Sequence, residues 1–176
     1  MRVQRGATLG HVAKYKSKEE ASGAEFMRRA IALAIEGVRT NQGGPFGAVV
    51  VKDGVIVGEG FNRVLGTNDP TAHAEVTAIR AACAKLGNFE LRDCDLYTSC
   101  EPCPMCLAAA YWARLARVYF ACDRADAARA GFDDSMLYDE IRKAPAERML
   151  PLVQTLRDEA LATFQAWIDK PDRTGY

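Results

Sequence analysis

Four residues of types that bind metals and move protons fall in two short motifs, whose first members are thirty positions apart. His73 and Glu75 form a His-x-Glu motif, and Cys103 and Cys106 form a Cys-x-x-Cys motif. One imidazole and two thiolates suit Zn²⁺, and three protein ligands leave a tetrahedral position for water, as catalytic zinc sites do. Glu75, which the ligand set does not need, is placed to transfer protons. The motifs therefore predict a hydrolytic site with one Zn²⁺ per subunit.

Both motifs are expected at the N-terminal ends of helices. Pro104 suits the first position of a helix and makes Cys103 its N-cap, with Cys106 in the first turn. The positive end of the helix dipole lowers thiol pKa values there and favours the thiolate that binds metal. Upstream, Thr71 is the predicted N-cap, which leaves the carboxylate of Glu75 outside the capping box. Two helix ends would thus converge on one cation.

A structural zinc site is the main alternative for the metal. Such a site requires a fourth Cys or His; four further cysteines and His11 are present, but none forms a second Cys-x-x-Cys pair. The protein would then be a catalytically silent, zinc-stabilised binding module. A Glu beside a three-ligand set favours the catalytic interpretation.

The composition is that of one globular domain. The chain has 176 residues, 49% hydrophobic and 26% charged, which is enough for one sizeable core. Lys+Arg and Asp+Glu both number 23, and this zero net charge argues against nucleic acid as the main partner. No apolar run approaches the roughly 20 residues of a membrane span. Six cysteines without a signal peptide predict reduced thiols in a cytoplasmic enzyme.

The elements that must carry the motifs alternate between helix and strand. Residues 1–20 are basic and lack apolar periodicity, which predicts a flexible or loosely docked extension before a single domain over residues 21–176. A helix over residues 21–39 precedes a hairpin whose strands flank Asp53 and Gly54. The later alternation requires crossovers and predicts an α/β fold in which a mixed sheet has helices on both faces.

Several residues have two interpretations. Asn62 ends the hairpin and is either a turn former or a site residue that offers both a donor and an acceptor to a base edge. The helix that ends near Trp112 is apolar on nearly all sides and is therefore expected to be buried. One of Asp133, Asp134 and Ser135 is expected to cap the next helix, although a second Asp near a pocket would accept hydrogen bonds from ring N–H groups. By composition alone, Trp112 is a core residue and Tyr176 belongs to a frayed tail.

From about residue 26 to residue 176 the chain resembles the bacterial guanine deaminases of the cytidine deaminase-like superfamily. The stretches that carry the likeness are residues 43–49, 68–79, 97–106, 111–114 and 130–135. His-Ala-Glu and Pro-Cys-Pro-Met-Cys also resemble the tRNA adenosine deaminases, whereas Gly-Phe-Asp-Asp-Ser, Tyr-Trp-Ala-Arg and the terminal Tyr are closer to the guanine deaminases. The resemblance implies a three-layer α/β/α fold around a mixed five-stranded sheet.

The resemblance also implies roles for individual residues. Those that would surround a purine base are Phe46, Asn62, Ala74 through its backbone, Trp112, Asp134 and Tyr176. Glu140 would assist Glu75 in moving protons. Similar enzymes are homodimers that exchange their last segment, here about residues 150–176, so that Tyr176 would come from the second subunit. The implied reaction is hydrolysis of guanine to xanthine and ammonia; guanosine, cytosine and adenosine in tRNA are the alternative substrates.

Overall fold

A computed structural model describes the backbone of residues 9–175 and the side chains of residues 23–175. In chain order, its elements are α1 (Leu9–Arg39), β1 (Gly47–Lys52), β2 (Val55–Phe61), α2 (Val64–Thr67), α3 (Ala74–Leu86), β3 (Cys94–Cys100), α4 (Pro104–Trp112), β4 (Arg117–Cys122), α5 (Arg124–Arg129), α6 (Ser135–Arg142), a 3-10 helix (Pro145–Glu147) and α7 (Arg157–Asp169). None of the described helices combines the length and hydropathy that crossing a bilayer requires.

The strands form one mixed sheet in the order β2-β1-β3-β4. Strand β1 pairs antiparallel with β2 and with β3, and β3 pairs parallel with β4. Asp53 and Gly54, with φ of 50° and 75°, make the tight turn between β1 and β2 that the Asp-Gly pair predicted. The parallel connection from β3 to β4 runs through α4.

The fifth strand that the resemblance implied is absent from the described part of the chain. After β4, the carboxylates of Asp123 and Asp126 each accept the other residue's backbone N–H, and this capping box starts α5. The chain therefore continues from β4 into a helix, and the described residues after α5 form further helices and no strand. The α/β class is confirmed, whereas the prediction of five strands is wrong.

Helices cover both faces of the sheet, as predicted. On one face Leu33 of α1 packs with Val49 and Tyr97. On the other face Ala78 of α3 packs in a cluster with Val50. Successive residues of β1 thus enter two different cores, because side chains alternate across a strand.

Helix α3 approaches β2 closely because two positions on the strand lack a side chain. A Cβ added at Gly60 would lie 2.5 Å from the carbonyl oxygen of Ala74, and one added at Gly58 would lie 2.3 Å from that of Ala78. Real Cβ atoms essentially never come within 3.0 Å of another heavy atom. The glycines therefore set the distance between the sheet and α3.

Helix α1 begins at Leu9, before the predicted start at residue 21, and ends at Arg39 as predicted. Residues 9–20 belong to this helix, whereas the sequence predicted a flexible or loosely docked extension there. Lys, Glu and Ala are good helix formers even where no apolar stripe is present. Residues 1–8 lie outside the described residues.

The chain divides into two compact units, Met1–Phe132 and Asp133–Tyr176. The single domain over residues 21–176 stays a prediction. The first unit contains the sheet and α1 to α5. The second contains α6, the 3-10 helix and α7.

Candidate active site

The N-terminal end of α3 carries His73 and Glu75. His73 is the N-cap, and Glu75 is the second helical residue and is buried. The prediction that Thr71 caps this helix is wrong, because its N–H and hydroxyl both donate to Asp69 Oδ1 at 2.8 and 2.7 Å. This Asx turn delays the start of the helix. An imidazole therefore stands at the helix end where a capping hydroxyl was expected.

The N-terminal end of α4 carries both cysteines, as predicted. Cys103 is the N-cap, Pro104 is the first helical residue and Cys106 is the third. Strand β3 leads directly into this turn, and the Glu101 N–H donates to the Cys122 carbonyl at 2.8 Å, so that pairing with β4 holds the chain up to the motif. Cys106 is fully buried.

The three predicted ligand atoms lie together. His73 Nδ1 is 3.6 Å from Cys103 Sγ and 3.4 Å from Cys106 Sγ, and all three atoms lie within 4.8 Å of one another. A tetrahedral zinc with ordinary Zn–N and Zn–S bonds separates a nitrogen and a sulfur ligand by about 3.6 Å. The spacing and the donor types therefore fit Zn²⁺. Among the described residues this group has three members, which leaves one tetrahedral position for a small ligand.

The ligand set carries one thiolate before any cation binds. The pKa of Cys103 is lowered to about 4, chiefly because the Cys106 thiol donates a hydrogen bond to it, and His73 adds to the effect against the opposing effect of burial. The same hydrogen bond, followed by burial, raises the pKa of Cys106. Hydrogen bonding to Cys103 raises the pKa of His73. A thiolate at Cys103 attracts a cation, and binding of a metal must displace the protons that His73 and Cys106 hold.

Glu75 is positioned to hold a proton beside the ligands. Burial is the main reason why the pKa of its carboxyl group is raised, and the negative Cys103 adds to the rise. The carboxyl group also forms a hydrogen bond with Cys106. A buried carboxyl group with a raised pKa, in contact with the ligand set, suits general acid–base catalysis.

Asn62 is buried, and its side-chain oxygen is fully engaged. Asn62 Oδ1 accepts from the backbone N–H groups of Gly44 and Val64, both at 3.2 Å. The backbone N–H of Asn62 donates to the Phe46 carbonyl oxygen at 2.9 Å. Of the donor and acceptor that the sequence predicted for a base edge, only the amide Nδ2 donor is left. Two backbone donors beside the hairpin use the acceptor, and a contact of Asn62 with a base edge stays a prediction.

Phe46 and Phe132 form an aromatic pair that the sequence analysis missed. Phe46 is half-buried and packs against the core cluster that contains Ala74. Its ring centroid is 5.0 Å from that of Phe132, with an angle of 85° between the planes. A sequence signal for Phe132 does exist: Gly131 follows a short helix, and an apolar residue after such a glycine often packs back onto the structure.

Trp112 lies at the C-terminal end of α4, six residues beyond Cys106 and thus about 9 Å further along the helix axis. Its side chain is exposed, and only Cys106 and Ala110 of this helix are buried. The prediction that α4 is buried on all sides is therefore wrong. Whether Trp112 contacts a base stays a prediction.

The remaining predicted residues lie in the second unit. Asp134 is the N-cap residue of α6, and Asp133 Oδ1 accepts the Ser135 N–H at 2.9 Å. Glu140 Oε1 pairs with Lys143 Nζ at 2.5 Å, and its Oε2 accepts the Met149 N–H at 2.6 Å. These contacts, that with Lys143 first, lower the pKa of Glu140. Tyr176 lies outside the described residues, so its predicted role stays a prediction.

Comparison with known proteins agrees with this arrangement. Residues 21–122 match the family described as cytidine and deoxycytidylate deaminase zinc-binding region. The chain is 58% identical to the guanine deaminase of Bacillus subtilis over 151 residues, which is 86% of this chain and 97% of that protein. The X-ray structure of the Bacillus subtilis guanine deaminase matches with a TM-score of 0.84 at 57% identity, covering 87% of this chain and 98% of that chain.

The likeness to other deaminases is shorter. The tRNA-specific adenosine deaminase of Agrobacterium fabrum is 49% identical over 76 residues, which is 43% of this chain and 50% of that protein. The structure of the guanine deaminase from Nitrosomonas europaea has a TM-score of 0.60 at 32% identity and covers 62% of this chain and 64% of that chain. The likeness to these two proteins thus covers part of the chain, whereas the likeness to the Bacillus protein covers 86% of it. The chain belongs to the cytidine deaminase-like superfamily of zinc-binding proteins and, within it, to the family of the bacterial guanine deaminases.

Proposed function

We propose that this protein hydrolyses guanine to xanthine and ammonia, with one Zn²⁺ held by His73, Cys103 and Cys106. The observation that carries the proposal is the spacing of the three ligand atoms beside the buried carboxyl group of Glu75. The choice of guanine is supported by the likeness to the Bacillus subtilis guanine deaminase, which extends over 97% of that protein.

The proposed chemistry divides between the cation and Glu75. Bound zinc lowers the pKa of a water molecule toward ~7 and so supplies a nucleophile near neutral pH. Glu75 would accept a proton from the attacking water and pass it to the ring nitrogen beside C2, while the oxygen adds to the electrophilic C2. Glu75 would then move the remaining proton of that oxygen to the amine as the C–N bond breaks, so that ammonia leaves and the oxygen stays on C2 as a carbonyl. One water molecule is consumed, and the carboxylate returns to its starting state.

The proposed base pocket places a donor and a ring against the purine. Asn62 Nδ2 would donate to an acceptor on the base, and guanine offers such acceptors at O6 and N7. The ring of Phe46 would stack on the base plane. The Asp134 carboxylate would accept from a ring N–H, and Trp112 and the backbone of Ala74 would complete the wall. A pocket with apolar walls and a few polar groups that orient a flat ligand is typical of small-molecule sites.

We further propose a homodimer in which the segment 150–176 closes the site of the second subunit with Tyr176. Support comes from the exposed apolar side chains of α7, because a contiguous apolar surface marks an interaction site. Those side chains are Leu161, Phe164, Trp167 and Ile168.

Complementation between two inactive variants tests this exchange. Glu75→Gln removes the proton carrier but leaves the C-terminal segment intact. Tyr176→Ala keeps the proton carrier and removes the side chain that would close the site. Mixed subunits regain activity if the tail acts on the second subunit and stay inactive if it acts on its own. A monomer at assay concentration would contradict the homodimer.

The cytoplasm is the proposed location. All six cysteines are free thiols, and two of them must stay reduced to bind the metal. Fractionation of cells with an antibody against the chain checks this assignment.

A substrate panel tests the reaction. Purified zinc-loaded protein is assayed for ammonia release from guanine, guanosine, cytosine and a tRNA anticodon stem-loop containing adenosine. Release from guanine with the highest kcat/KM supports the proposal. Conversion of the stem-loop alone would identify a tRNA adenosine deaminase, and no release from any amine would identify a silent zinc module.

Two variants test the assigned roles. Glu75→Gln should keep its zinc and lose about 10²- to 10⁴-fold in kcat, because a general acid–base group is removed. Cys103→Ala should lose the metal, as shown by elemental analysis. For Glu140, a lower kcat in Glu140→Gln at unchanged zinc content supports the assisting role, whereas a kcat equal to that of Glu147→Gln, a neighbouring exposed control, removes it.

A further inference from the structure

We infer that Phe132 is a positioning residue that holds the ring of Phe46 in the plane on which the substrate stacks. The inference rests on the proposed function, because that function supplies the flat ligand. The two rings meet edge to face, with 5.0 Å between their centroids and 85° between their planes, which is a favoured geometry for an aromatic pair. Neither composition nor the resemblance assigned a role to Phe132.

The position of Phe132 is set by the end of α5. Gly131 has a φ of 91°, in the left-handed region that glycine tolerates. The Phe132 N–H donates to the Ala127 carbonyl at 3.0 Å, which is the long hydrogen bond of a Schellman motif. The backbone at Phe132 is therefore held by the helix end, and its exposed side chain projects from a rigid support.

The backbone of Phe46 is held just as firmly. Its N–H donates to the Gly44 carbonyl at 2.8 Å, and its carbonyl accepts the Asn62 N–H at 2.9 Å. The freedom left to Phe46 is rotation of its side chain. A contact against one edge of the ring restricts that rotation.

Gly44 lets the two rings meet. A Cβ at this position would lie 3.0 Å from both Cε1 and Cζ of Phe132 and 3.0 Å from Cε2 of Phe46. Phe46 also packs against the cluster containing Ala74, which lies between His73 and Glu75 in the chain. The ring of Phe46 is thus held between the core behind the metal ligands and a brace on the outside.

This arrangement predicts an effect on binding. A ring that is already in its bound orientation loses less conformational freedom when a ligand stacks on it, so preorganisation strengthens binding. Removing the ring of Phe132 should raise KM and leave kcat nearly unchanged, because Phe132 acts through the ring of Phe46 and takes no part in metal binding or proton transfer.

The test is a mutant cycle with the zinc-loaded enzyme. Phe132→Leu should raise KM about 2- to 10-fold, the range expected for loss of one aromatic pair, with kcat within about twofold. Phe132→Tyr keeps the ring and should restore KM. In a Phe46→Leu background, Phe132→Leu should have no further effect. Phe89→Leu, which removes a similarly exposed ring from the loop between α3 and β3, serves as the matched control.

Three results would overturn the inference. One is an unchanged KM in Phe132→Leu. Another is that Phe132→Leu raises KM by the same factor in the Phe46→Leu background as in the wild type, since Phe132 would then act independently of Phe46. The third is a rise in KM that occurs only with loss of zinc, because the effect would then be structural.

The proposed function fails separately, if the wild type releases no ammonia from guanine. The position of the Phe46 ring in a crystal structure of Phe132→Leu then decides the inference without activity. A changed side-chain rotamer supports the bracing role, and an unchanged one contradicts it.

Discussion

Gly60 controls the distance between the sheet and the helix that carries His73 and Glu75. A Cβ at this position would lie 2.5 Å from the Ala74 carbonyl oxygen and 2.7 Å from the Ala78 nitrogen, where real Cβ atoms essentially never come within 3.0 Å. Gly60→Ala should therefore push the start of α3 away from β2 by at least about 0.5 Å, because a close-packed interior transmits such strain.

The expected losses of stability and activity follow from the residues that this shift displaces. Ala74 lies between His73 and Glu75, so both the metal ligand and the proton carrier are displaced. Overpacking costs about 1–3 kcal/mol, which for a chain of this size lowers Tm by roughly 2–12 °C. A misplacement near 1 Å can reduce turnover about 10²-fold, so a shift of half that size should reduce kcat/KM on the order of 10-fold.

Gly58→Ala is the matched control. A Cβ there would lie 2.3 Å from the Ala78 carbonyl oxygen, so the overpacking is similar but lies about one helical turn further from His73. Gly23→Ala on α1 is a neutral control, since the nearest atom would be 3.6 Å away. Thermal unfolding, zinc competition with a chelator and ammonia release are measured for each variant.

The two overpacked variants should lose similar stability, but Gly60→Ala should bind zinc more weakly than Gly58→Ala. Equal zinc affinities for these two variants would refute the reasoning, because the loss would then reflect general destabilisation. A Gly60→Ala protein with wild-type zinc affinity and turnover would refute it as well.

Three further predictions concern the metal, the base and an ion pair. Removing zinc with a chelator should lower Tm, and Zn²⁺ but not Mg²⁺ should restore it, because thiolate ligands select the softer ion. Asn62→Asp keeps an acceptor for the N–H groups of Gly44 and Val64 but loses the donor, so KM for guanine should rise about 10-fold or more, while Asn62→Leu should also lower Tm. Hydrogen bonding to Arg29 lowers the pKa of Glu59, so the pair stabilises the fold above the ordinary carboxyl range and is lost as the pH falls through the lowered pKa. Glu59→Gln should therefore unfold at a Tm about 1–3 °C lower at pH 7, and this difference should disappear as the pH falls through the lowered pKa of Glu59, because a partly exposed pair contributes about 1 kcal/mol or less.

The metal site could be predicted from the sequence because local rules build most of it. Pro104 after Cys103 specifies a helix start without reference to the rest of the chain. Asp53 and Gly54 specify the hairpin in the same way. Two helix ends in the right order then bring the imidazole to the sulfurs.

The errors arise where residues distant in sequence, or competing local groups, decide the outcome. The Asp69 carboxylate accepts hydrogen bonds from the N–H and hydroxyl of Thr71, so Thr71 does not cap α3 and the helix starts later. Helix propensity does not decide which of two such local hydrogen bonds forms. The acceptor of Asn62 is used by the N–H of Gly44, eighteen residues away in the chain. The pairing of Phe46 with Phe132 joins residues that only the folded chain brings together.

Helix α4 shows a different kind of discrepancy. Its sequence predicts burial on nearly all sides, yet Tyr111 is 77% exposed and Trp112 is 67% exposed. Such a helix is expected to be covered in the functional assembly, because contiguous exposed apolar surface marks an interface. The proposed homodimer would provide a covering surface. Contact with a second subunit would then explain both the apolar pattern of α4 and the exposure of its last turn.

Tyr111→Ser tests this explanation. A buried interface Tyr is often worth 2 kcal/mol or more, so the dimer Kd should rise at least about 30-fold. Light scattering coupled to size exclusion over a range of protein concentrations measures the dissociation. Val55→Ser, which changes an exposed apolar residue at the hairpin, should leave the Kd unchanged. If Tyr111→Ser dimerises like the wild type, the exposed turn of α4 lies outside the subunit interface, and its apolar sequence must have another cause.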